Sequence, residues 1–257
     1  ATNVAVGYYA LTANTTGSSN VAIGQNALAA NTTAANNIAI GSTALDANTT
    51  GGGSGANIAI GTNGLGAVTT GSNNIGIGQE GGSAITTGAS NVAIGNWALD
   101  ATTTGGWNIA IGQNALTTNT TASYNVAVGG SALAVNTTGN YHTALGYNSL
   151  PANTTGTLNT AIGALTLVGN TTGVNNTAVG VQALNANTTA SYNTAVGQGA
   201  IQSATTGHSN TAVGYLSMRD VTDSEGNTGL GAYAGIQVTT GDNNTALGHN
   251  ALYATTT

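Results

Sequence analysis

The feature that most constrains this chain is a five-residue phrase, Asn-Val-Ala-Val-Gly at residues 3–7, which recurs fifteen times with small variations. Successive copies are 17 residues apart, except for one step of 20 residues between Asn37 and Asn57. A unit this short cannot bury a core alone, but stacked units can share a continuous one. The repeat therefore predicts that residues 1–257 form a single repetitive solenoid, and we number the positions of each unit from the Asn of the phrase as position 1.

The composition excludes several classes of protein. Only 3% of the residues are charged, against roughly 25% in ordinary globular domains. The formal net charge of −6, with one Arg and no Lys, argues against a nucleic-acid partner and against anionic membrane surfaces. The apolar runs are only a few residues long, so we expect no direct membrane insertion in this segment. Without cysteine, disulfides and thiolate metal sites are absent.

The consensus unit, Asn-[Val/Thr]-Ala-[Val/Ile]-Gly-x-x-Ala-Leu-x-x-Asn-Thr-Thr-Gly-x-x, predicts β-structure. Glycine recurs at two points and β-branched residues cluster in both short runs, which disfavours a helix. Positions 1–4 predict a strand that ends at Gly, positions 8–9 predict the start of a second strand, and Asn-Thr-Thr-Gly predicts a turn. The expected fold is all-β, a parallel β-solenoid of about fifteen coils and roughly 70 Å in length at ~4.8 Å per rung.

The two faces of the first strand have different requirements. Position 3, as in Ala22 and Ala195, accepts only Ala or Gly, whereas position 4, as in Ile23 and Val196, is always aliphatic. Because neighbouring side chains of a strand point to opposite faces, one face is expected to fill a narrow coil and the other to pack against neighbouring chains. This favours a homo-oligomeric fibre. A monomer with Ile and Leu inside and a flat Ala surface is the alternative.

Three further positions carry structural signals. Asn at position 1, as in Asn20 and Asn193, predicts a hydrogen-bonded ladder between rungs, with His142 as the one exception. Gly at position 5, as in Gly24 and Gly197, predicts a corner that needs positive φ or close backbone approach. Position 2 is Val or Ile in the first eight units and Thr in the last seven. That change indicates a wetter environment, hydroxyl bonding along the stack, or a duplication without functional meaning.

Catalytic chemistry has no support in the sequence. The acidic and histidine residues fall at unrelated positions of different units, so we predict no catalytic residues, no metal site, no cofactor and no enzymatic activity. The charged segment 219–225 could hold Ca²⁺, but its spacing fits no EF-hand and favours a solvated loop. The Gly-rich insertion 51–55 lacks the Lys and the helix of a phosphate-binding loop. Eight Asn-Thr-Thr corners satisfy the N-glycosylation pattern, which we interpret as a consequence of turn chemistry.

Two surface patterns suggest binding. Trp107, Tyr124 and Tyr141 occupy position 17 of consecutive units, so they are predicted to stack at about the rung spacing. Such a ladder is either a platform for sugar rings or a packing device, and a carbohydrate-binding rod is one alternative function. Threonines at positions 13 and 14 resemble the ranks of ice-binding solenoids. The Thr-x-Thr arrangement of that class is missing, so ice binding is the weaker alternative.

The phrase also carries a resemblance. Asn-x-Ala-[Ile/Val]-Gly-x-x-Ala, at residues 20–27, 91–98 and 176–183, resembles the head repeats of trimeric autotransporter adhesins. Asn-Thr-Ala-Val-Gly at residues 193–197 is similar to repeats of bacteriophage tail fibres. The resemblance implies a trimeric, left-handed parallel β-roll, extracellular on a bacterial cell or virion surface, that spaces or presents an adhesive tip. Because the sequence starts and stops inside a repeat, we expect it to be a segment of a longer fibre. The expected partners are copies of the chain itself and a cell-surface glycan or host receptor.

Overall fold

A computed structural model describes residues 2–49 and 56–254 as an all-β chain. Each unit contributes one three-residue strand at positions 2–4, immediately before the invariant glycine. The strands are β1 Val4–Val6, β2 Val21–Ile23, β3 Ile38–Ile40, β4 Ile58–Ile60, β5 Ile75–Ile77, β6 Val92–Ile94, β7 Ile109–Ile111, β8 Val126–Val128, β9 Thr143–Leu145, β10 Thr160–Ile162, β11 Thr177–Val179, β12 Thr194–Val196, β13 Thr211–Val213, β14 Thr228–Leu230 and β15 Thr245–Leu247.

The chain divides into two compact units, residues 1–130 and 131–257. In the first unit β1–β8 pair in chain order, parallel and in register, as in Val4 opposite Val21. In the second unit β9–β15 do the same. The predicted parallel β-solenoid is confirmed. The 20-residue step leaves the register intact, since Ile38 pairs with Ile58, while the inserted residues 51–55 lie outside the described residues.

The predicted second strand at positions 8–9 is wrong. Positions 7 and 9 adopt left-handed backbone conformations instead, with φ of 58° at Asn26 and 50° at Leu28. The Leu28 N–H still donates to the Ala44 carbonyl of the next coil at 3.0 Å, so the rungs stay hydrogen-bonded through the bend. A coil of 17 residues must turn back on itself here, and that closure overrides the β-preference of the local sequence.

The core of each coil is narrow and made of small side chains plus one leucine. Ala22, Ala27 and Leu28, at positions 3, 8 and 9, are each fully buried. Position 3 therefore fills the interior, as predicted. The alternative with Ile and Leu inside and a flat Ala surface is wrong, because position 4 points outward and Ile23 is 38% exposed.

The glycine at position 5 combines both predicted requirements. Its φ ranges from 117° at Gly248 to 139° at Gly41, which is a conformation that L-residues rarely adopt. The next rung is also in contact: a Cβ added at Gly146 would lie 2.6 Å from the Gly163 carbonyl oxygen. Any side chain at this position would both strain the backbone and separate the rungs.

The coil of β5 fills its interior differently from most others. In β5 the residue at position 3 is Gly76, and position 9 of that coil is Gly82 instead of Leu. A Cβ at Gly76 would lie 2.7 Å from the Cγ of Leu65 in the preceding coil. The same coil carries Ile85 at position 12, fully buried where most coils have Asn. Neighbouring large side chains thus occupy the volume that the two glycines release.

Candidate functional site

The most extensive surface feature is the outward face of the strands, formed by positions 2 and 4. In the first unit both positions are Val or Ile, and Ile109 and Ile111 are 37% and 36% exposed. In the second unit Thr occupies position 2 beside the aliphatic column, as in Thr228 and Leu230. No charged residue occurs at either position in any coil. We call this surface the outward strand face.

An asparagine ladder at position 1 holds the strands in register. The Asn20 Oδ1 accepts from the backbone N–H of Asn37 at 2.9 Å, and the Asn20 amide donates to the Ala34 carbonyl at 2.8 Å. The pattern recurs through both units, for example from Asn210 to Asn193 at 2.9 Å. The structural interpretation of this position is confirmed, since these side chains are buried and hydrogen-bonded.

A second asparagine ladder runs through position 12. Asn153 donates to the Oδ1 of Asn136 and Asn170 to that of Asn153, both at 2.9 Å. The Asn153 amide also donates to the Gly156 carbonyl at 3.1 Å. Sequence reasoning placed this Asn in a turn and missed the ladder, although its recurrence at one position in eight units was an available signal.

The buried ladder also bears on the Asn-Thr-Thr corners. Seven of these asparagines are fully buried, so their amides are inaccessible to a glycan in the folded chain: Asn31, Asn48, Asn119, Asn136, Asn153, Asn170 and Asn187. The interpretation of the pattern as a structural requirement agrees with this placement.

His142 replaces Asn in the position 1 ladder and is buried, with 1% exposure. Its Nδ1 accepts from the Asn159 N–H at 3.3 Å, which places the proton on Nε2, 2.7 Å from the Gly156 carbonyl oxygen. Burial is the main cause that lowers the pKa of His142 to about 4, and the hydrogen bonds of the ring oppose it. The imidazole is therefore neutral at physiological pH and acts as a structural substitute for Asn.

The predicted aromatic platform contains a pair of parallel rings in the first unit. The Trp107 and Tyr124 rings are stacked, with centroids 5.3 Å apart and planes 7° from parallel, and they are 57% and 46% exposed. Tyr141 lies in the second unit and is 57% exposed. Rings stacked in parallel cover each other's faces and direct their edges to solvent. This geometry favours packing over a sugar platform, because a pyranose stacks on a ring face.

The charged segment 219–225 keeps the coil geometry of its neighbours. Val221 occupies position 12 and is buried. The guanidinium of Arg219 binds Asp220 through two bonds of 2.7 Å, and Glu225 pairs with His208 at 2.6 Å. The acidic side chains are thus engaged separately. In residues 2–49 and 56–254, no three His, Asp or Glu side chains converge to hold a metal ion.

The threonine rank at position 13 contributes to cohesion between coils. The Thr32 hydroxyl donates to the Thr49 carbonyl at 2.9 Å, and Thr154 donates to Thr171 at 3.1 Å. These hydroxyl groups therefore donate their protons to the next coil, which weakens the interpretation of the threonine rank as an ice-binding surface.

Comparison with known proteins adds no relative: no family model, curated protein or solved structure matches the chain. No helix in the described part of the chain is long and apolar enough to cross a bilayer.

Proposed function

We propose that this chain is a structural or adhesive segment of an extracellular fibre, in which copies of the chain assemble through the outward strand face. The observation that carries the proposal is the exposed aliphatic surface of the first unit. Its eight strands present a strip of roughly 400 Å², from ~4.8 Å per rung and ~3.3 Å per strand residue. The largest contiguous apolar patch of a soluble monomer is about 300–600 Å² and is often functional, which makes this strip a candidate interaction surface.

Another copy of the same chain is the partner that fits this face best. The strip has no charge for an ionic partner to complement. Its side chains repeat at the rung spacing along the first unit, so the same unit of an identical chain offers columns with the same period. Each added coil then extends the interface, which suits a fibre whose length is set by repeat number.

The resemblance to adhesin head repeats and phage tail-fibre repeats supports a trimer and a location on a bacterial cell or virion surface. In a trimer each chain faces two others around a shared axis, so the strip is covered from both sides. The ladders at positions 1 and 12 give each chain a rigid strand face before assembly. Such a rod would space or present a surface-binding tip.

Sedimentation velocity across a concentration series tests the assembly. We expect the chain to sediment as a trimer and the variant Ile109→Lys/Ile111→Lys to sediment as a folded monomer, because both side chains point outward. The control Thr104→Lys/Gln113→Lys adds the same charge at exposed positions outside the face and should remain trimeric. A folded wild-type monomer at micromolar concentration, or a trimer unaffected by the first variant, would refute the proposal.

A further inference from the structure

The last three coils of the second unit carry an aromatic cluster that the repeat pattern does not reveal. The rings of Tyr215 and Tyr233 have centroids 5.3 Å apart and are perpendicular, at 90°. Tyr233 and His249 follow at 5.8 Å and 77°. The three residues occupy positions 6, 7 and 6 of consecutive coils, which is why no shared position marked them in the sequence.

The only arginine of the chain lies beside this cluster. The Nε and Nη2 atoms of Arg219 donate to the two carboxylate oxygens of Asp220, each at 2.7 Å. Arg219 follows Tyr215 by four residues in the same coil, and its charge interacts with Tyr215, Tyr253 and Tyr233. Both side chains remain partly exposed, at 37% and 30%.

The surroundings hold this arrangement in place. Arg219, Ile236 and Tyr253 occupy position 10 of three consecutive coils, and Ile236 is only 3% exposed. Because one position of successive rungs repeats at ~4.8 Å, Arg219 and Tyr253 lie one rung to either side of Ile236. Loss of hydration is the first cause that raises the pKa of Tyr233, followed by the charge and hydrogen bond of Tyr215.

We propose that Tyr215, Tyr233, His249 and the Arg219–Asp220 pair form a binding site for a neutral pyranose saccharide. An edge-to-face pair covers one ring face, whereas the Trp107–Tyr124 stack covers two, so more ring face remains for the apolar C–H face of a sugar.

The ion pair supplies the polar half of the site. The bidentate pair uses two of the five guanidinium N–H donors and leaves the others available, together with carboxylate lone pairs. Vicinal hydroxyls, which both donate and accept, match that fixed set of donors and acceptors. An anionic ligand would instead compete with Asp220, and a cationic ligand with Arg219, which is why the site selects an uncharged sugar.

The site is distinct from the outward strand face. Its ring and ion-pair residues lie at positions 6, 7, 10 and 11, beyond the glycine corner at position 5. Copies packed through positions 2 and 4 would leave these side chains at the periphery. Saccharide binding therefore goes beyond the proposed assembly, and either property can fail without the other.

Saturation-transfer difference NMR on the full chain tests the site, with cellohexaose, maltohexaose, chitohexaose and mannohexaose as probes. We expect at least one hexasaccharide to bind and Tyr215→Ala/Tyr233→Ala to weaken it at least ten-fold. Arg219→Gln should weaken it several-fold. The control Tyr147→Ala removes an exposed tyrosine at position 6 of another coil and should bind like wild type.

A folding check separates loss of the site from loss of structure. Circular dichroism should be unchanged in each variant, and Tyr215→Phe/Tyr233→Phe keeps the ring faces and should retain most of the binding. Absence of binding to all four probes at millimolar concentration, or binding that the Ala pair leaves intact, overturns the proposal.

Discussion

Asn187 donates a hydrogen bond to the Oδ1 of Asn170 at 2.7 Å, yet its own buried Oδ1 has no hydrogen-bond partner in the protein. The reason lies in the next coil, where position 12 is Ala204. The ladder therefore ends at Asn187. In the run from Asn136 to Asn187, Asn170 has an asparagine partner on both sides, whereas Asn187 has one on one side only.

This difference predicts unequal costs for the same substitution. Asn170→Ala removes the donor to the Asn153 Oδ1, which is then buried without a partner, and one of the two acceptors of the Asn187 amide, which keeps the Ala190 carbonyl. Asn187→Ala leaves only the Asn170 Oδ1 unpartnered and removes one unpaired oxygen. At about 1–3 kcal/mol for each buried group left without a partner, Asn170→Ala should cost at least about 1 kcal/mol more than Asn187→Ala. Urea unfolding of the two variants under the same conditions measures the difference, and equal midpoints would contradict the ladder.

The sequence predicted those parts of the fold that depend on steric exclusion. Only Ala or Gly fits the interior at position 3, and only Gly tolerates the corner at position 5, so Ala22 and Gly24 show their roles in the pattern itself. The left-handed conformation of Leu28 was not predictable in the same way. It follows from closing the whole coil, and leucine has no local preference for positive φ.

The candidate surfaces also include one feature that was predictable from the sequence and one that was not. The outward direction of Ile23 followed from strand alternation once Ala22 was placed inside. The cluster around Tyr233 was missed, because its three rings do not occupy one position in consecutive coils. Their proximity depends on how the side chains lean across the rungs, and a repeat alignment contains no information on that.

The buried His142 should make the stability of the folded chain depend on pH. The folded pKa of about 4 is below the roughly 6.5 of an unfolded chain, so the unfolded state binds more protons between these values. The stability associated with a neutral His142 is fully present above pH 6.5 and is lost as the pH falls toward 4. Between pH 7.5 and 4.5 we expect wild type to lose about 2–3 kcal/mol more than His142→Asn, which restores the ladder residue.

Urea midpoints of the two proteins at both pH values provide the measurement. Burial raises the pKa of Asp46 and Asp100, which favours the folded state on acidification, but both proteins share that contribution. The difference between them isolates the imidazole. If His142→Asn and wild type lose stability in parallel, the histidine is not buried in its neutral form.

Two substitutions that restore the consensus should have opposite effects on stability. Gly64 at position 8 and Gly76 at position 3 both stand where most coils have Ala. A Cβ at Gly64 would meet nothing closer than 3.5 Å, whereas a Cβ at Gly76 would lie 2.5 Å from the Gly81 carbonyl oxygen and 2.7 Å from Leu65 Cγ. Gly64→Ala should stabilise the chain by about 0.4–1 kcal/mol, because it reduces the entropy of the unfolded chain.

Gly76→Ala should instead destabilise the chain by about 1–3 kcal/mol through overpacking. Each variant is the control for the other, since both exchange the same residues in adjacent coils. Thermal unfolding followed by circular dichroism should show the melting temperature of Gly64→Ala above wild type and that of Gly76→Ala below it. A rise for both variants would mean that the interior next to Leu65 has room for a methyl group, and that Gly76 is not required by the packing of Leu65 and Ile85.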